Sequence, residues 1–178
     1  MKKLALTDFA KYRYPSALEL SPDSRYLTFA LKDVDREGDG YRWNLWLYDL
    51  ERRESRQITQ GDDQRKAVWE DNTHILYKTT EPDEALRARG FEEEWTVYHR
   101  LNVCTGEDRE AFRLPMSVSG LWKMDDGRYV FTGETHLDRP NLLELTGEAL
   151  EKELVRRQQT RGYKVLTELP LCENGVGM

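Results

Sequence analysis

No stretch of this 178-residue chain approaches the ~20 consecutive apolar residues that a membrane-spanning helix needs. With 38% hydrophobic against 34% charged residues and a mean hydropathy of −0.81, the sequence predicts a soluble protein. Cysteine is scarce: Cys104 and Cys172 stand 68 positions apart with no Cys-x-x-Cys, so no disulfide is implied and a reducing compartment with buried or incidental thiols fits. An apolar leader is missing, because only Leu4-Ala5-Leu6 separate Lys2 and Lys3 from Thr7 and Asp8; the reading is cytoplasmic. Blocks of positive charge are also missing. The 27 Lys and Arg are outnumbered by 33 Asp and Glu, for a net charge of −6, which argues against nucleic acid or an anionic membrane as partner.

The aromatic share of 11%, with five Trp and nine Tyr, is too high for a disordered chain and predicts a packed core. Short β-type runs are separated by turn residues. Ser16–Leu20 and Arg25–Leu31 flank Ser21-Pro22-Asp23-Ser24, where Pro presets φ and Asp and Ser can bond back to the backbone. After a charged loop from Lys32 to Arg42 comes Trp43–Leu50, rich in aromatic residues, then a polar turn and Ser55–Thr59. The order then restarts. Lys66–Trp69, a turn at Glu70-Asp71-Asn72, and Thr73–Thr79 form the next hairpin, followed by Trp95–Val103 and Ala111–Leu114. A third start runs through Ser117–Met124, Asp125-Asp126-Gly127 and Arg128–Thr132.

The turn aspartates Asp23, Asp71 and Asp126 are 48 and 55 residues apart, the spacing of β-propeller blades of roughly 40–50 residues. The expected fold is therefore all-β with a helical insertion: a partial propeller of about two and a half four-stranded blades. The units are about 14–61, 64–115 and an incomplete 117–178. Leu142, Leu145, Ala149, Leu150 and Leu154 recur at three- and four-residue steps among charged residues, which predicts an amphipathic helix over about 146–158. A strand is expected to resume at Tyr163–Leu166.

Chemistry-bearing motifs are few. There is no Gly-x-Ser-x-Gly, Walker loop, Gly-x-Gly-x-x-Gly or His-Glu-x-x-His, so no nucleophile elbow, cofactor or metal site is predicted. Ser117 and Ser119 sit at a strand start, and His74, His99 and His136 are read as structural. The run from Asp33 to Gly40 offers oxygens at alternate positions, but its twelfth residue is Asn44 where a calcium loop needs a bidentate Glu. Trp43, Trp46, Trp69, Trp95 and Trp122 recur at blade-like positions and are expected in the core between blades.

Leu18-Glu19-Leu20-Ser21-Pro22-Asp23-Ser24-Arg25-Tyr26-Leu27-Thr28-Phe29 resembles the strand–SPDG–strand blade opening of the prolyl oligopeptidase family of serine peptidases, in its acylaminoacyl-peptidase-like branch. Leu45-Trp46-Leu47-Tyr48-Asp49-Leu50 with Arg56-Gln57-Ile58-Thr59 is similar to that family's third and fourth blade strands. Val68-Trp69-Glu70-Asp71 and Thr167-Glu168-Leu169-Pro170 with Asn174-Gly175 resemble later phrases of the same propeller. Ser24 stands where Gly is commoner, and Leu171-Cys172 replaces an aromatic pair. The resemblance implies the N-terminal propeller portion of a peptidase acting on short peptides or acyl- or aminoacyl-peptides, with the α/β-hydrolase domain and its triad outside these residues. In such enzymes the propeller covers the active site and filters substrates by size. It further implies that Glu92, Glu93 and Glu94, beside Glu81, Asp83 and Glu84, could hold a peptide's N-terminal ammonium; the plainer reading is a charged surface loop. The alternative function is a TolB-like propeller that binds protein partners without enzymatic activity. An open blade edge would favour self-association in either case.

Overall fold

Two hairpins, each begun by an apolar run and reversed at an aspartate turn, set the architecture. The computed structural model describes residues 8, 11–35, 38, 40–136 and 138–160. The expected strand over 163–166 and the phrase from Thr167 to Gly175 lie outside them. The first sheet has the order β1 (Tyr14–Leu20), β2 (Tyr26–Asp35), β3 (Gly40–Asp49), β4 (Glu54–Gln57), each antiparallel to the next. The second repeats it with β5 (Ala67–Trp69), β6 (His74–Pro82), β7 (Glu94–Asn102) and β8 (Asp108–Leu114); a four-residue helix α1 (Glu84–Arg87) sits between β6 and β7. A third sheet, among the described residues, contains β9 (Ser117–Lys123) and β10 (Tyr129–Glu134). This is a partial β-propeller: two four-stranded blades and the first hairpin of another.

Side chains alternate across each strand, so one strand can serve two neighbours. On β6, Ile75 and Tyr77 join Ala30, Leu45 and Leu47 of the first blade, while Leu76 joins Tyr98, Val118 and Leu121 toward the third. Polar ties fix the same contacts. The Trp69 indole donates to the Glu19 carbonyl at 3.1 Å, and Thr96 Oγ1 donates to the Met116 carbonyl at 2.6 Å while accepting from Val118 N–H. Glu70 takes the Arg100 guanidinium at 2.6 Å and the Tyr129 hydroxyl at 2.6 Å, linking the second blade's turn to β7 and β10.

Strands β2 and β3 continue into the stretch from Lys32 to Arg42, which the charge pattern assigned to a loop. Cross-strand pairs hold it in the ladder: Lys32 lies 3.6 Å from the Tyr41 ring and 5.3 Å from that of Trp43, and Arg42 bonds Asp35 at 3.0 Å. The tryptophans also depart from expectation. Trp69 packs on the core between the first two blades, but Trp46 stacks on Phe29 away from it and Trp122 is 47% exposed.

The three repeated turns share one device. Asp23, Asp71 and Asp126 each accept the N–H of the residue two positions on, from Arg25 (3.1 Å), Thr73 (2.7 Å) and Arg128 (3.0 Å). Ser24 N–H donates to the Ser21 carbonyl as Gly127 N–H does to that of Met124, and both residues are left-handed, at φ 60° and 84°. Ser24 therefore occupies a position that favours glycine.

A second compact unit begins at His136; among its described residues Asn141 caps a short 3₁₀ turn (Leu142–Glu144) and α2 spans Gly147–Gln159, against an expected 146–158. Leu142 and Leu154 are buried, and Glu153 binds Arg156 and Arg157. The Arg156 hydrogen bond, above all, holds the Glu153 carboxyl down at about 2.

Two outcomes follow from the turns. Left-handed strain of ~1–2 kcal/mol at a residue with Cβ, less ~0.4–1 kcal/mol for the freedom glycine adds to the unfolded chain, makes Ser24→Gly stabilising by about 0.5–1 kcal/mol in urea unfolding. Burial would raise the Asp71 carboxyl, but the N–H groups of Thr73 and His74 and the His74 ring outweigh it and hold it at about 2; Ser21 and the Arg25 N–H lower Asp23, and the Arg128 side chain and N–H lower Asp126. Because these groups bind protons less readily when folded, their stabilisation is complete above pH ~4 and lost as pH falls through the folded values. Asp71→Asn should flatten the fall of the urea midpoint below pH 4; a slope parallel to that of the parent would refute this role.

Candidate functional site

The β6–β7 hairpin reaches past its neighbours, and its tip carries the acidic residues singled out in the sequence. Asp83 organises it. One carboxylate oxygen caps α1 by accepting from Leu86 N–H at 3.0 Å, and the other accepts from the Trp95 indole at 3.1 Å. These two bonds hold the Asp83 carboxyl below the usual carboxylate range, the Leu86 N–H contributing most. The Asp83 N–H in turn donates to the Glu93 carbonyl at 2.9 Å, closing the tip, while Leu86 is buried beneath it.

Glu92, before β7, and Glu94, at its start, are exposed, and Glu93 is half-buried between them. Two further carboxylates meet a cation on the strands that lead to the tip. Arg113 binds Glu110 at 2.5 Å, with Glu81 at 3.6 Å and the Trp95 ring centroid at 5.8 Å. The rim thus presents carboxylates to solvent on a braced support, an arrangement able to attract a cation but without acid–base machinery.

No described serine is hydrogen-bonded to a histidine. Ser119 bonds Thr132 across β9 and β10. His74 lies between Asp71 (2.9 Å) and Asn102 (3.2 Å), His99 lies 3.4 Å from Asp108, and His136 contacts Arg139 at 2.5 Å. Among the described residues no three His, Cys, Asp or Glu side chains group as metal ligands. Of the Asp33–Gly40 run, residues 36, 37 and 39 lie outside the described set, and Asp33 and Asp35 are paired with Arg13 and Arg42. No described helix is long and apolar enough to cross a membrane.

Concave surfaces lie elsewhere, built from residues distant in sequence. One of about 400 Å³ is lined by Tyr26, Asp49, Arg52, Arg56 and Cys104, and a polar one of about 470 Å³ by Arg13, Asp33, Arg42, Asn44 and Asp62. A third, of about 250 Å³, lies between the second blade and the third, with Val68, Leu76, Tyr98 and Leu121 as walls and Arg65, Lys66 and Lys78 around it. Nothing in the local sequence around these three cations marks them as a group.

No family model and no curated protein sequence matches the chain. Solved structures do. Acylaminoacyl peptidase from Pyrococcus horikoshii superposes with a TM-score of 0.55 at 13% identity, over 74% of this chain and 19% of that one. The β-propeller domain of the Trilobed protease from Pyrococcus furiosus, described as having an open velcro topology, gives 0.49 at 14% identity, over 69% of this chain and 34% of that one. The chain thus spans 19% and 34% of the two solved chains, and at such identities the likeness establishes the fold.

The role of Asp83 is testable apart from any activity. Asp83→Ala removes the cap and the indole acceptor together, so amide exchange at Leu86–Phe91 should accelerate by tenfold or more, roughly 1.4 kcal/mol for a lost cap and an orphaned donor. Protection in β2 and β3 should stay as in the parent.

Proposed function

We propose that these residues are the N-terminal propeller portion of a serine peptidase of the prolyl oligopeptidase family, in its acylaminoacyl-peptidase-like branch, and that this portion is non-catalytic. The observation that carries the reading is the coincidence of two independent likenesses. The blade-opening and third-strand phrases at Leu18–Phe29 and Leu45–Thr59 fall on β1–β2 and β3–β4, and the same strands belong to a fold that superposes on an acylaminoacyl peptidase. In this reading the propeller admits short peptides or acyl- and aminoacyl-peptides to a hydrolase domain and excludes folded chains. The exposed carboxylates of Glu92 and Glu94, with Glu93, attract the ammonium of a peptide N-terminus at the rim.

A second reading, a protein-binding propeller without hydrolase chemistry, is favoured by one observation. Leu18 and Leu20 on β1 are 59% and 55% exposed, an apolar strip that a further blade or a second copy would cover.

One experiment separates them: fluorophosphonate labelling of the gene's full product in its native cells. The peptidase reading expects a labelled serine enzyme whose tryptic peptides include those of this chain, whereas the purified 178-residue chain stays unlabelled and does not turn over aminoacyl or short-peptide esters. In the labelled product, a Glu92, Glu93, Glu94→Gln triple variant should raise KM severalfold for substrates with a free N-terminus and leave N-acetylated ones unchanged. Peptides of this chain found only in an unlabelled protein that forms a discrete oligomer would overturn the peptidase reading in favour of the second.

A further inference from the structure

The cavity between the second blade and the third combines three features that belong together in a ligand site. Its walls are apolar, formed by Val68 on β5, Leu76 on β6, Tyr98 on β7 and Leu121 on β9. Its volume, about 250 Å³, falls just below the ~300 Å³ at which drug-sized sites begin, so it suits one residue-sized group. Its lining residues carry three cationic side chains, Arg65, Lys66 and Lys78, against one carboxylate, Asp63.

The three cations are not equally committed. Arg65 is paired with Asp63 at 2.7 Å and leans on the Trp43 ring, 4.1 Å from its centroid. Lys66 reaches Glu19 at 3.8 Å, the loose end of an ion-pair contact, and lies 5.6 Å from the Trp122 ring. Lys78 differs from both. Its ammonium donates to the Val118 carbonyl at 2.7 Å, and among the described residues no carboxylate lies within ion-pair distance of it. A half-buried lysine whose ammonium has two donors left over, beside an apolar floor, is a site for an anion whose remainder is apolar. Tyr98 stays protonated there, burial pushing its hydroxyl up to about 12.

Neither a phosphate nor a nucleotide meets both demands. Phosphate has no apolar body, and a nucleotide exceeds the volume. We propose that this inter-blade cavity binds an α-carboxylate attached to an apolar side chain, the chemistry shared by an N-acylated apolar amino acid and the C-terminal residue of a peptide. Lys78 is the principal anion contact, Lys66 the second, and Val68, Leu76 and Leu121 receive the side chain. This goes beyond the peptidase reading and does not depend on it, because no catalytic group takes part.

Ligand-observed NMR titration of the full 178-residue chain tests the proposal with N-acetylleucine, N-acetylleucine amide, N-acetylglycine and the tetrapeptide Gly-Gly-Ala-Leu. N-acetylleucine should bind at least tenfold more tightly than its amide and severalfold more tightly than N-acetylglycine. Raising salt from 0.05 to 0.5 M should weaken the acid and leave the amide unaffected. Lys78→Met, which keeps the side chain's length, should lower affinity for the acid at least tenfold with an unchanged circular dichroism spectrum; Lys66→Met should lower it less. Equal binding of acid and amide by the parent chain would overturn the proposal, whether or not the variants fold, and so would a folded Lys78→Met that binds like the parent. With the acid bound, a tetrapeptide of similar affinity identifies a peptide C-terminus as the source, and a much weaker one identifies a free acylated amino acid.

Discussion

The structure depends on the two-sidedness of one strand. β6 gives Ile75 and Tyr77 to the core shared with the first blade and Leu76 to the core shared with the third, so the second blade is packed on both faces. A sheet buried on one side can turn a polar face to water; one buried on both sides cannot, and its sequence becomes a nearly continuous apolar run. Ile75-Leu76-Tyr77 is such a run. The first blade lacks this double cover among the described residues, and its consequence is the exposure of Leu18 and Leu20.

Packing of twisted sheets leaves gaps toward their edges, and the inter-blade cavity is one of them. The inter-blade cavity opens where β5, β6, β7 and β9 come together, just beyond the Leu76–Tyr98–Val118–Leu121 cluster. Its cations come from the segment before β5 and from β6. The acidic hairpin obeys a different logic: it lies beyond the blade core, so it needs its own brace, and Asp83 with Trp95 and Leu86 supplies it. Candidate function therefore falls at the two kinds of place where blade packing ends.

The repeat was readable because each blade is reversed by the same local chemistry. An aspartate that accepts the N–H two residues ahead acts within its own sequence neighbourhood, and so Asp23, Asp71 and Asp126 mark the repeat in the sequence itself. The strands from Lys32 to Arg42 were not readable, since composition marks Lys32, Asp33 and Asp35 as loop-like and only their cross-strand partners make them strand. Trp122 shows the same limit from the other side. A tryptophan reads as core, but here it lies against the open face of Gly120, where a Cβ would meet its ring at 2.3 Å, and remains half in solvent.

What the sequence alone determined was everything with a short range: alternating strands, aspartate turns, the amphipathic helix near residue 150, and the charged character of the hairpin tip. These follow from periodicities of two and 3.6 and from hydrogen bonds within a few residues. What the tertiary structure decided was the choice of partners. Whether Trp122 would be covered, and that Lys66 and Lys78 would share a cavity with Leu121, depend on which face of one blade meets the next. That contact joins residues about fifty positions apart, and no local pattern encodes it.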